Sequence, residues 1–169
     1  FGYVEGMTGE LVIRDVCIRP ETGQIVKPAF IGTSAFEGTN IAWVTMPNSI
    51  TQIGSRAFKD CKQLSQVVLS NNAQTLEAHA FSGCTNLSVF ISTSDTILYS
   101  ITAIQMNAFY NCSQLRNITV PNVAIIGNYA FRNCTSLNAV YWGSKLTSIG
   151  NYAFDGCTAL YAPTFPTTL

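Results

Sequence analysis

Residues 53–75 read IGSRAFKDCKQLSQVVLSNNAQT and residues 126–148 read IGNYAFRNCTSLNAVYWGSKLTS. The two stretches share one frame: aliphatic-Gly, then Ala-Phe, a Cys three residues after the Phe, and a Leu three residues beyond that. Working outward, Ala-Phe recurs with its Phe at positions 36, 58, 81, 109, 131 and 154, so the spacings are 22, 23, 28, 22 and 23. Five copies carry the Cys (Cys61, Cys84, Cys112, Cys134, Cys157) and the following Leu (Leu64, Leu87, Leu115, Leu137, Leu160). An aliphatic residue sits five before each Phe, at Ile31, Ile53, Leu76, Ile104, Ile126 and Ile149. Self-similarity at a period of 20–50 residues is the mark of a solenoid, in which no unit buries its apolar side alone and stacked neighbours supply the missing partner.

Within one unit, Val67 and Leu69 fall on one face of an extended strand and Gln66 and Val68 on the other. Apolar residues at 53, 57, 58 and 61 have helical spacing, which predicts a short helical turn beside each strand. The expected class is therefore an α/β repeat solenoid: one strand plus one helical turn per repeat of 22–28 residues, about six repeats starting near 31, 53, 76, 104, 126 and 149. Residues 1–30 do not fit the frame. Alternation around Leu11–Arg14 and the charges of Arg14, Asp15, Arg19 and Glu21 predict a β-rich N-terminal cap there, with the repeat array over 31–169.

The irregularities are informative. The first copy lacks the Cys and one residue of the turn. The third carries extra Ser- and Thr-rich residues around Thr93–Thr102, expected to bulge as a loop, and such loops are frequent carriers of function.

The unit resembles the BspA-like leucine-rich repeat family of bacterial and protist surface proteins, over residues 31–169. The resemblance implies an extracellular or cell-surface location and adhesion to host or matrix proteins.

Composition narrows the function classes independently. The 169 residues are 47% hydrophobic and 11% charged, which is enough apolar material for one substantial core. Nine basic and nine acidic residues cancel, and no basic cluster interleaved with aromatics offers a nucleic-acid path. No run approaches the roughly 18–20 apolar residues that a membrane-spanning helix needs. A polar fraction dominated by Ser, Thr and Asn leans toward a secreted or surface protein.

Catalysis is not expected. The only histidine, His79, is equivalent in the repeat to Ser34, Arg56, Asn107, Tyr129 and Tyr152, a variable turn position, and Glu37, Asp60, Glu77, Asp95 and Asp155 are scattered. The cysteines lack the paired spacing of zinc sites, and parallel side-chain directions in a ladder disfavour disulfides. They are expected as buried thiols, Cys17 included, with no metal and no cofactor.

The outward strand positions suggest a binding strip without charge: Trp43, Gln66, Val68, Val89, Ile91, Asn117 and Tyr141, with Trp43 and Tyr141 as anchors for a protein or glycan. Four glycosylation sequons occur, at Asn86, Asn111, Asn117 and Asn133. The leading expectation is a non-enzymatic recognition or adhesion module. The alternative is a structural subunit that polymerises head to tail into a filament or surface array through an assembly edge at Leu160 and Phe165.

Overall fold

The computed structural model describes residues 8–94, 96–161, 163, 166 and 167; Asp95, Ala162, Thr164 and Phe165 lie outside the described residues. The chain winds as a parallel β-solenoid of about five turns. One row of strands comprises β1 (Thr8–Val12), β5 (Asn40–Thr45), β7 (Gln66–Leu69), β9 (Val89–Ser92), β11 (Asn117–Val120) and β13 (Ala139–Trp142). A second row of two-residue strands is one continuous six-stranded sheet: β4 (Phe30–Ile31), β6 (Gln52–Ile53), β8 (Thr75–Leu76), β10 (Ala103–Ile104), β12 (Ile125–Ile126) and β14 (Ser148–Ile149). Before the coils begin, β2 (Cys17–Ile18) and β3 (Ile25–Val26) form an antiparallel hairpin, while β1 extends the first row in parallel with β5.

The expected helical turn is absent, and no α-helix occurs among the described residues. The α/β class is thereby corrected to an all-β solenoid. The reason lies in two columns of left-handed residues four apart. Ser34, Arg56, His79, Asn107, Tyr129 and Tyr152 have φ between 53° and 60°, and Gly38, Asp60, Gly83, Asn111, Asn133 and Gly156 have φ between 58° and 77°. A right-handed helix cannot accommodate either column. Alternate amides instead do two different jobs. Arg56, Phe58 and Asp60 donate to the carbonyls of Ala78, Ala80 and Ser82 in the next coil, while Ala57, Lys59 and Cys61 close local turns onto Gly54, Arg56 and Phe58. The segment is a third hydrogen-bonded side of the coil, and the inward offsets 53, 57, 58 and 61 are met by turns as well as they would be by a helix.

Each core position repeats along the axis as a ladder. The rings of Phe36, Phe58, Phe81, Phe109, Phe131 and Phe154 stack nearly parallel with centroids 5.1 to 5.7 Å apart. The widest step, 5.7 Å, falls between Phe81 and Phe109, where Phe90 of β9 inserts edge-on against both at 5.1 and 4.9 Å. Offset and edge-to-face contacts of this kind add to the burial energy of each ring.

Candidate binding face

The first row of strands has one face in the core and one in solvent, because successive side chains alternate. Val44, Val67, Phe90, Ile118 and Val140 point inward and are buried. The outward positions align across strands: Trp43 with Gln66 and Val89, Val68 with Ile91, Asn117 with Ala139, and Thr119 with Tyr141. Trp43, Gln66, Val68, Val89 and Ile91 therefore share the β5–β7–β9 surface, and Asn117 and Tyr141 share the β11–β13 surface. Trp43 is 42% exposed and Tyr141 60%. From β5 to β13 these outward positions carry no charge; Glu10 on β1, paired with Trp43, is the charged neighbour at one end.

The two surfaces are not one sheet. Hydrogen bonding runs β1-β5-β7-β9 and then resumes as β11-β13. The inserted residues of the third coil cause the break. Ser92 stands level with Leu69, and Thr93 donates its amide to the Leu69 carbonyl at 3.1 Å, so this part of the coil belongs with its predecessor. Ile97 bridges Thr119 and the Leu98 amide donates to the Thr119 carbonyl at 2.9 Å, so a few residues later the coil belongs with its successor. The pairing thus passes from the preceding coil at Thr93 to the following coil at Ile97, and two openings flank the change. One is a cleft of about 330 Å³ between β9 and β11, lined by Ser88, Val89, Phe90, Ile91, Thr96, Arg116 and Asn117. The other, about 420 Å³, lies at the corner between Asn71 and Ser100 and is lined entirely by amide and hydroxyl side chains.

The cysteine ladder has a definite chemistry. Cys61, Cys84, Cys112, Cys134 and Cys157 donate their Sγ–H to the carbonyls of Phe36, Phe58, Phe81, Phe109 and Phe131, one coil back, at 2.9 to 3.1 Å. In the first coil Thr39 takes the Cys place and donates Oγ1–H to the Phe36 carbonyl at 2.9 Å. All six cysteines are free thiols. Burial pushes the Cys61, Cys84, Cys112 and Cys134 thiols up, away from thiolate. That is opposite to what a nucleophile or a metal ligand needs. Among the described residues no three His, Cys, Asp or Glu side chains gather as a metal site. His79 is half-buried with Nε2 3.4 Å from Asn107 Nδ2. Partial burial, then the charges of Arg56 and Lys59, hold its imidazole below the usual range.

The comparisons with known proteins agree with this geometry. Residues 91–169 match the BspA type leucine-rich repeat region, in six copies. Residues 91–169 carry BspA-type leucine-rich repeats. A leucine-rich cell surface protein of Faecalibacterium prausnitzii A2-165 is 26% identical with a TM-score of 0.78, over 97% of this chain and 49% of its own. The leucine-rich repeat protein of T. pallidum is 25% identical with a TM-score of 0.71, over 89% of this chain and 68% of its own. A leucine-rich repeat protein of Eubacterium ventriosum is 27% identical with a TM-score of 0.69, over 82% and 36%. The chain thus spans about half the length of the F. prausnitzii protein. No curated protein matches. The BspA type points to a non-enzymatic repeat module, and no helix among the described residues is long and apolar enough to cross a membrane.

Along the array the four sequons fall in two environments. Asn86 and Asn117 are exposed. Asn111 and Asn133 occupy the left-handed turn column, and Asn133 Nδ2, the atom that a glycan would modify, donates to Asn111 Oδ1 at 3.0 Å. Leu160 is half-buried against the core; its expected assembly partner Phe165 lies outside the described residues. The cleft between β9 and β11, with Arg116, was not legible in the sequence. The 28-residue spacing announces extra residues but not the side of the coil on which the ladder opens.

Proposed function

We propose that the chain is a recognition module of a secreted or surface-displayed protein, binding a protein or glycan partner through the exposed face of its first strand row. The observation that carries this reading is the uncharged outward surface from Trp43 through Gln66, Val68, Val89 and Ile91 to Asn117 and Tyr141, with an exposed aromatic toward each end. Aromatic side chains presented on a rigid ladder bury large areas at small entropic cost and are the usual energetic anchors of interfaces. Desolvating this face removes no charge from water, so apolar burial is not offset there. The buried thiols of Cys61, Cys84, Cys112 and Cys134, pushed away from thiolate, and the lone His79 argue against chemistry at those turns.

The test is capture of a partner from the natural surface environment, or on protein and glycan arrays, by the chain and by Trp43→Ala and Tyr141→Ala variants. Capture is expected to fall at least tenfold in each variant while thermal unfolding shifts by no more than a few degrees. Capture unaffected by both substitutions would remove the face from consideration.

A further inference from the structure

The break between β9 and β11 leaves one residue with an unusual deficit. The amides of Val89 and Thr93 donate to Ser65 and Leu69, so the odd-numbered residues of β9 turn their main-chain groups toward β7. By the alternation of a parallel ladder, the Phe90 N–H and C=O turn toward β11, which is not a hydrogen-bonded neighbour. Phe90 is only 4% exposed, and its ring is held by Phe81 and Phe109. A donor and an acceptor on one nearly buried residue, facing an open cleft, are a main-chain vacancy of the kind that strand addition fills.

The rest of the cleft selects among occupants. Val89 and Ile91 supply apolar contact beside the vacancy, and Ser88, Thr96 and Asn117 supply hydroxyl and amide groups. Among the described residues Arg116 is the one charged lining residue, and it has no ion-pair partner there. A guanidinium favours a carboxylate, which it can engage with two parallel hydrogen bonds. At about 330 Å³ the cleft is within the range of small-ligand sites and takes a short segment, not a folded domain.

We infer that the cleft between β9 and β11 receives an extended acidic peptide segment, whose main chain pairs with Phe90 and whose carboxylate pairs with Arg116. The inference rests on the recognition reading and narrows it to one place and one ligand class. The insertion is then a functional device: by making the third coil change partners, it leaves the Phe90 edge of β9 without a paired strand in an otherwise closed ladder.

The probe is a set of acidic hexapeptides rich in β-branched residues, compared with the same peptides carrying Asn and Gln in place of Asp and Glu. Saturable binding to the full chain, weakening with added salt, is expected. Amidation of the peptide or Arg116→Gln should each lower affinity about tenfold, the two losses should not add, and Lys145→Gln should change nothing. The Phe90 amide should exchange with solvent more slowly when peptide is bound. Deleting residues 92–97 returns the third repeat to 22 residues, places Leu98 level with Leu69 and closes the slot, so binding should be lost. If that variant does not fold, the Arg116→Gln and amide-exchange results decide. Equal binding of neutral peptides, unchanged Phe90 exchange, or saccharide in place of peptide in the slot would overturn the inference. So would peptide binding that survives Arg116→Gln but is lost in Trp43→Ala, and that result would leave the wider face reading standing. No peptide binding, with a natural partner still captured through Trp43 and Tyr141, would do the same.

Discussion

Gly38→Ala separates the solenoid turn from a helical turn by the sign of its effect. Gly38 has φ +70° and nothing lies within 4 Å of where a Cβ would be, so the substitution adds backbone strain without a steric clash. Holding an L-residue in the left-handed region costs about 1–2 kcal/mol. Replacing Gly by Ala also removes unfolded-state entropy worth about 0.4–1 kcal/mol in the opposite direction. The net expectation is a destabilisation of about 1 kcal/mol, which for a chain of this size lowers the melting temperature by about 2–4 °C. Were this segment helical, the same change would stabilise by about 0.8–1 kcal/mol. The two cases therefore differ by close to 2 kcal/mol, well outside the error of paired denaturation curves. Scanning calorimetry of the parent and Gly38→Ala, with urea unfolding followed by circular dichroism, reads the difference directly. Gly156→Ala, whose Cβ would also press on the Asn133 side-chain oxygen, should lose more than Gly38→Ala. A rise in melting temperature for Gly38→Ala would refute the left-handed turn.

The buried thiols give a second prediction. Their folded-state ionisation is pushed up, so stability is fully present below the ordinary thiol range and declines above about pH 8.5, by up to about 1.4 kcal/mol per pH unit for each thiol that ionises only on unfolding. Urea midpoints between pH 7 and 10 measure it, and Cys112→Ala should flatten the slope. In the native state Cys17 should react with a thiol reagent far faster than Cys61, Cys84, Cys112 or Cys134, as mass spectrometry of labelled fragments would show. His79 has the opposite sign. With its folded value held down, its neutral form is the stable one, so its contribution is present above about pH 6.5 and is lost as pH falls. An NMR titration should place His79 below the free-histidine range, and Arg56→Gln should raise it.

Part of this could be read from residues alone, because a repeat imposes its own constraint. Six Ala-Phe units at near-constant spacing require stacked coils with Phe, Leu and Ile in continuous ladders, since no single unit has an apolar partner of its own. Alternation of side chains along a strand was enough to set Trp43, Gln66, Val68, Val89, Ile91, Asn117 and Tyr141 on outward positions. The turn misled because offsets 53, 57, 58 and 61 report which residues face inward and not which backbone places them there. A contrary signal was present. The residue two after each Phe is Gly, Asp or Asn in all six copies, the types that tolerate positive φ, whereas the matching column two before the Phe is disguised as Ser, Arg, His, Asn and Tyr. Only the tertiary structure decided how the inserted residues pair. Whether the chain pairs with the coil before, as at Thr93, or with the coil after, as at Ile97, depends on hydrogen bonds between residues more than twenty positions apart. Such pairing is settled by competition between neighbouring coils, and a single strand's pattern carries no record of it. The slot beside Phe90 and Arg116 exists because that competition is won by one coil at Thr93 and by the other at Ile97.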